Sequence, residues 1–346
     1  MTSDSFILPF GTISLDDRPR VGGKGGSLGE LTSALIPVPP GFVVTTDAFS
    51  AFLDALDKEH GIRNRIAKLD PEDVATLNQT TSNIRTLVHQ APTPKEIASV
   101  IAEAYSKLGH NIPVAVRSSA TSEDSEEASF AGLQDTYLWQ KGEAQLMEAL
   151  KLCWASLYNA ESVAYRLKLD IPEYQLAMAV VIQTMVNSRC SGVMFTRSPT
   201  TGDKSVIAIE GSWGLGSSIV SGEVTPDKFV INKITSEITS RDVASKDIEH
   251  VPDEKGGIME MPVDETRKKT QCVSDDELKE LCSIARRIEK LYGMPQDIEW
   301  AIDQEGKVMV LQSRPETVWA AKEKAPVAKP TAKAFDHIFN VLGGQK

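Results

Sequence analysis

Gln296-Asp297-Ile298-Glu299-Trp300 and Val310-Leu311-Gln312-Ser313-Arg314-Pro315, joined through Asp303-Gln304-Glu305-Gly306-Lys307, read as the two strands of a hairpin. Side chains alternate faces along a strand, so Asp297 and Glu299 share one face, as do Gln312 and Arg314. With the turn at Glu305-Gly306, Glu299 falls opposite Gln312 and Asp297 opposite Arg314, a register that a longer loop would change. A carboxylate oxygen beside an amide oxygen suits a hard cation such as Mg²⁺, which takes one or two protein oxygens and leaves its other positions to water and phosphates. A neighbouring arginine would meet the same phosphates. An exposed hairpin with cross-strand ion pairs is the competing reading of these residues alone.

Outward from the hairpin, residues 275–291 form a helix with an Asp/Glu-rich start. Ala177 to Ile182 is an unbroken apolar run, expected of a central strand covered on both sides. Gly192 to Thr196 and Val206 to Ile209 follow as strands, the second running into Glu210-Gly211-Ser212-Trp213-Gly214-Leu215-Gly216-Ser217. Upstream, Val114-Ala115-Val116 is a short strand ending at Arg117, before a loop rich in Ser118, Ser119, Thr121, Ser122 and Ser129. One long helix is expected from about Glu143 to Leu167, with Leu152, Tyr158 and Val163 packing into the core. Residues 61–110 are mostly polar helix, and residues 20–60 a Gly-rich loop, a helix from about Ser27 to Leu35, a Pro-rich turn, a Phe42-Val43-Val44 strand and another helix. After Trp319 the composition turns to Ala, Lys and Pro, a linker that cannot build a core. It ends in an amphipathic stretch, 334–342, which reads either as a frayed tail or as a docking element.

With 346 residues and 41% hydrophobic content the chain can bury a large core in two or three subdomains. A net charge of -11 and a pI near 5.1 argue against a nucleic-acid footprint, which needs a basic face. No run of about 18 apolar residues and no secretory signature appears, so a soluble, cytoplasmic protein without membrane contact is expected. Cys153, Cys190, Cys272 and Cys282 lie far apart without CxxC spacing, which supports neither a zinc site nor a disulfide framework.

Val21-Gly22-Gly23-Lys24-Gly25-Gly26-Ser27 before a helix is a place to bring backbone N–H groups and a lysine to phosphates, or simply a flexible turn. It is not a Walker A loop, because Gly25 stands where Ser or Thr should follow the lysine. Arg117 is a phosphate ligand or a surface arginine, and Gln183-Thr184-Met185-Val186 an adenine edge or a strand end. Trp213 fits a nucleotide pocket and a packing role equally.

Taken in order, Gly-Gly-Lys-Gly-Gly-Ser-Leu-Gly-Glu-Leu from Gly22, Pro-Val-Pro-Pro-Gly-Phe from Pro37, Val-Arg-Ser-Ser-Ala-Thr-Ser-Glu-Asp from Val116 and Phe-Ala-Gly-Leu-Gln-Asp-Thr from Phe130 begin a series. Ser-Gly-Val-Met-Phe-Thr from Ser191, Trp-Gly-Leu-Gly from Trp213, Asp-Ile-Glu-Trp from Asp297 and Leu-Gln-Ser-Arg-Pro from Leu311 complete it. Together these eight motifs resemble the ATP-binding region of the phosphoenolpyruvate synthase, pyruvate phosphate dikinase and rifampicin phosphotransferase group, over roughly residues 7–318.

The resemblance implies an α/β (α+β), two-lobed ATP-grasp fold with the nucleotide between the lobes. Lobe boundaries are expected at 1–185 and 186–318, followed by a linker and tail at 319–346. ATP and Mg²⁺ are the implied cofactors. By motif, Lys24, Arg117 and Arg314 are catalytic phosphate contacts, Gly132 and Thr136 belong to a closing loop, and Gln183 and Met185 flank adenine. Glu299 and Gln312 are the metal ligands, Asp297 stands nearby, and Glu223 is a ribose candidate.

Enzymes of this group continue into a swivelling domain with a phospho-accepting histidine. None of His60, His89, His110, His250 and His337 stands in such a context. The layout therefore resembles the ATP-binding subunit of phenylphosphate synthase, which implies a histidine-bearing partner subunit, transfer of the ATP β-phosphate with release of AMP and phosphate, and phenol as acceptor. A self-sufficient kinase or ligase and a non-catalytic ATP-binding module are the alternatives.

Overall fold

The computed structural model describes residues 5–59, 61–120, 135–173, 177–316 and 319. Gly132 and the tail at 334–342 lie outside the described residues.

The first sheet is built from β1 (Ile7–Pro9), β2 (Gly41–Val44), β3 (Val114–Ala120), β4 (Thr136–Gln140) and β5 (Met178–Thr184), in the order β1-β2-β5-β3-β4 with antiparallel pairing throughout. β5 contains the apolar run of the sequence, and its two faces explain that run. Met178, Val180 and Ile182 face a layer made by α2 (Thr46–Leu56), α3 (Gly61–Ile66), α4 (Val74–Gln90), α5 (Lys95–Leu108), α6 (Gly142–Ser156) and α7 (Ala160–Lys168). Trp154 anchors that layer, its ring 4.6 Å from Phe52 and 6.0 Å from Phe49. Ala179 and Val181 face the opposite way, onto Val21 and Leu28 of α1 (Arg18–Ser33).

Three expectations change here. β3 does not end at Arg117: pairing with β5 continues through Ser119↔Ala179 to Ala120↔Met178. Its polar residues are accommodated because Arg117 and Ser119 find partners across the sheet face. The expected long helix is two, since Asn159 adopts an extended backbone (φ -63°, ψ 143°) and starts α7, allowing Tyr158 and Val163 to enter the same core. The Gly-rich loop is helical on both sides of a break at Gly22 (φ 70°, ψ 178°).

The second sheet takes β6 (Ser188–Phe195), β7 (Val206–Trp213), β8 (Asp227–Asn232) and β9 (Ile238–Asp242). A two-stranded ribbon of β10 (Ile248–Pro252) and β11 (Ile258–Pro262) intervenes, and β12 (Gln296–Asp303) and β13 (Val308–Pro315) return to give the order β13-β12-β6-β7-β8-β9. Strands β8 to β11 escaped the sequence reading because their exposed faces carry mixed polar residues. One face of this sheet packs Ile209, Phe229, Ile298 and Trp300 against Leu278, Leu281 and Ile288 of α9 (Asp275–Tyr292). That helix starts in a capping box of Ser274 with Glu277 and stops at left-handed Gly293. α8 (Ser217–Val220) is a single turn beyond β7.

Three structures tie the halves together. The end of α1 and the segment after it belong to the second core, where Leu31 and Ile36 are buried, and Val310 N–H donates to Pro37 C=O at 2.7 Å. Ser27 Oγ donates to Ser313 C=O at 2.7 Å. The ribbon tip reaches the first sheet, with Gly257 N–H on Trp139 C=O at 3.0 Å and Gln145 Nε2 on Lys255 C=O at 2.8 Å.

Gly22 brings the break in α1 against β3. A Cβ there would stand 2.4 Å from the Ser119 carbonyl oxygen, and its φ/ψ lies in a region only glycine enters freely. Gly22→Ala is expected to destabilise by at least about 3 kcal/mol, from backbone strain and overpacking together. Gly222→Ala, at φ +75° with nothing within 4 Å, should cost only about 1 kcal/mol, and urea unfolding of the two variants compares them.

Candidate active site between the two sheets

The face of the first sheet turned from the helical layer carries Ala115, Arg117 and Ser119 on β3, and Val181 and Gln183 on β5. On the second sheet, the face turned from α9 carries Asp297 and Glu299 on β12 and Gln312 and Arg314 on β13. Arg117 joins the two faces. Arg117 Nη2 donates to Glu299 Oε2 at 3.0 Å and to Gln312 Oε1 at 2.5 Å, and Nη1 donates to Leu311 C=O at 3.3 Å.

The register of the hairpin is the one expected, Glu299↔Gln312 and Asp297↔Arg314, but its route differs. The loop has three residues, Gln304 to Gly306, with Asp303 N–H on Lys307 C=O at 3.1 Å and Gly306 at φ +86°. A third loop residue shifts the pairing to Trp300↔Val310, and a bulge that leaves Leu311 unpaired restores it at Glu299. The residue freed by the bulge is the one whose carbonyl accepts from Arg117.

The other predicted residues are distributed around this centre. Thr136 pairs with Arg117 at the start of β4. Lys24 lies in the second residue past the Gly22 break, where its charge opposes the upward push of burial and Asp135 on the Cys153 thiol. Gln183 stands directly across from Ala115, and Met185 lies just beyond β5, its N–H on Pro113 C=O at 2.9 Å. Asp297 and Arg314 form their own ion pair, with Oδ2 2.9 Å from Nε and 2.8 Å from Nη2. Burial raises the Asp297 carboxyl above its ordinary value and Arg314 pulls against that rise. Glu223 is held by His250, whose Nε2 is 3.1 Å from its Oε2 while Nδ1 meets Ser217 Oγ at 2.7 Å. Trp213 is buried, stacks beneath Arg267 and donates its indole N–H to Arg267 C=O, the packing role.

Sequence reasoning missed Ser27, His250 and the Leu311 carbonyl. A bulge has no sequence signature here, and a backbone carbonyl has none at all.

Among the buried donors that lack acceptors among the described residues are Arg117 Nε, on a residue 9% exposed, and Gln183 Nε2, on one 3% exposed, both on the inner face of the first sheet. A buried donor without an acceptor costs about 1–3 kcal/mol, so both fit an acceptor-rich ligand such as a triphosphate or a purine edge. One carboxylate and one amide oxygen at the centre fit a hard cation that completes its shell with phosphates. No cluster of three or more His, Cys, Asp or Glu suited to a metal is found among the described residues. No helix among them is long and apolar enough to cross a membrane.

The two ion pairs differ in solvent access, and double-mutant cycles read by thermal or urea unfolding should separate them. The Arg117–Glu299 side chains are 11% and 32% exposed, and a coupling of about 1–3 kcal/mol is expected. For Asp297–Arg314, with the arginine 60% exposed, coupling should stay below about 1 kcal/mol.

The pyruvate phosphate dikinase AMP/ATP-binding domain family matches residues 18–334. A probable phosphoenolpyruvate synthase of Methanocaldococcus jannaschii is 41% identical over 332 residues, covering 94% of this chain and 28% of the relative. The phosphoenolpyruvate synthase of Pyrococcus furiosus is 38% identical over 382 residues, covering 98% and 47%, and that of Aeropyrum pernix 41% identical over 362 residues, covering 94% and 44%. The chain thus spans less than half the length of each of these relatives. Among solved structures, D-cycloserine synthetase matches at 13% identity and a TM-score of 0.27 over 83% of this chain and 59% of that one, too distant to carry an argument. The ATP-grasp assignment of the two-lobed α+β fold therefore rests on the family. With a family match across residues 18–334 and the eight motifs in order, the chain belongs to the pyruvate phosphate dikinase AMP/ATP-binding domain family.

Proposed function

We propose that this chain binds Mg²⁺-ATP between its two sheets and presents a phosphoryl group of it to a histidine of a partner domain or subunit, as the ATP-binding part of a phosphoenolpyruvate synthase-type dikinase. The observation that carries this reading is the convergence of Arg117 with Glu299 and Gln312, partners 182 and 195 residues away in sequence, with buried Arg117 Nε and Gln183 Nε2 lacking acceptors among the described residues.

Glu299 and Gln312 would hold the metal, which when bound neutralises phosphate charge. Arg117, Lys24 and Arg314 supply cationic hydrogen-bond donors to phosphate oxygens. Gln183 offers to an adenine acceptor its amide N–H, which has no acceptor among the described residues, with Met185 as an apolar neighbour, and Glu223 offers carboxylate oxygens to ribose hydroxyls. These groups orient and stabilise charge while the nucleophile comes from elsewhere, the division of labour that phosphoryl transfer favours. Among the described histidines, His89 is engaged by Glu148 and His250 by Glu223 and Ser217.

The names of the relatives favour pyruvate chemistry over the phenol that the motif layout alone suggests. Calorimetry of the full chain should detect ATP binding that requires Mg²⁺, and Glu299→Ala should weaken it at least about tenfold, the loss of one charge-assisted ligand. With a histidine-bearing acceptor domain supplied in trans, AMP is the expected nucleotide product, and ADP would refute transfer of the β-phosphate. Adding pyruvate or phenol to that mixture decides the final acceptor by whether phosphoenolpyruvate or phenylphosphate accumulates.

A further inference from the structure

Arg117 stands where a metal bonded to both Glu299 and Gln312 would stand. Its Nη2 lies between Glu299 Oε2 and Gln312 Oε1, at 3.0 and 2.5 Å. A guanidinium and a divalent cation want the same oxygen lone pairs, and two cations so close repel. The guanidinium nevertheless leaves one of its own needs unmet. Its Nε–H is buried with no acceptor among the described residues, a cost that anionic oxygens arriving on the same side would remove.

We infer that Arg117 is an exchangeable occupant of the metal position: it shields Glu299 and Gln312 from a divalent cation on its own and gives them up when a triphosphate offers its guanidinium better acceptors. Metal and nucleotide then enter as one coupled event, since each creates the other's site. Favourable coupling of this kind is reciprocal, so the nucleotide raises metal affinity by the same factor as the metal raises nucleotide affinity. The same exchange loosens a bond between the sheets, because Arg117 comes from β3 and its acceptors from β12 and β13.

This inference builds on the assignment of Glu299 and Gln312 as metal ligands under the proposed function, and its test needs no turnover. Mn²⁺ binding to the full chain is followed by electron paramagnetic resonance without nucleotide. Arg117→Met, which opens both oxygens, should bind Mn²⁺ at least tenfold more tightly than the unaltered chain, and Arg117→Met combined with Glu299→Gln should lose that gain. Added methylguanidinium should compete with Mn²⁺ in the Arg117→Met protein. Equal Mn²⁺ affinity of the unaltered and Arg117→Met chains overturns the inference, as does a gain that survives Glu299→Gln. Arg117→Gln, which keeps a polar side chain, is measured in parallel, so that a folding failure of one variant leaves the comparison intact. The proposed function stands or falls separately, on whether the unaltered chain binds ATP at all.

Discussion

A guanidinium removed from water must be given anions or carbonyls, and that requirement at Arg117 governs how the two halves of this protein fit together. Its own sheet places Ser119 and Gln183 beside it, neither of them an anion. The acceptors come from the opposite hairpin, as a carboxylate, an amide oxygen and a bulged backbone carbonyl. Satisfying one arginine therefore demands a defined separation of two sheets and a defined register within the second. The bulge at Leu311 serves both ends, restoring Glu299 to Gln312 and releasing a carbonyl toward β3.

Around that contact other elements hold the two sheets against each other. α1 is the wedge: Val21 and Leu28 belong to the first sheet's inner face, while Leu31 and the following Ile36 are buried in the second core. The Gly22 break lets the backbone approach β3 so closely that Ser119 Oγ donates to Val21 C=O at 2.8 Å and accepts from Gly25 N–H at 3.3 Å. This aims the first turn past the break, with Lys24 in it, along the same side as Arg117. The ribbon of β10 and β11 gives a second tie, and its base is pinned by buried Asp227, which accepts from Lys246 Nζ, Ala244 N–H and Cys272 N–H. A charge pair with no solvent exposure persists there because the carboxylate's remaining lone pairs are also occupied.

Much of this was legible from local chemistry. The run from Ala177 to Ile182 read correctly as a doubly covered strand, and the capped, acidic start of α9 read correctly as a helix. The hairpin pairing at the site also read correctly, though through compensating irregularities: a loop one residue longer and a bulge that takes it back. Where the reading failed, nonlocal partners had overridden composition. Ser118, Ser119 and Ala120 look like loop, yet they are strand because β5 supplies a ladder and Val21 a hydroxyl acceptor. Strands β8 to β11 are half exposed and lack the apolar density by which strands are recognised.

The chain by itself determined which residues carry chemistry, because residue type and strand alternation are local properties: a carboxylate and an amide on facing strand positions, an arginine after an apolar strand, a lysine among glycines. Those properties, taken in order, also sufficed for the family. Tertiary structure alone decided what those groups do to one another. That Arg117 occupies the oxygens of Glu299 and Gln312, and that its Nε and the amide of Gln183 find no acceptor among the described residues, depend on how two sheets are set against each other. That placement is fixed by the wedge of α1 and by buried contacts between residues as far apart as Ser27 and Ser313, which no local pattern encodes.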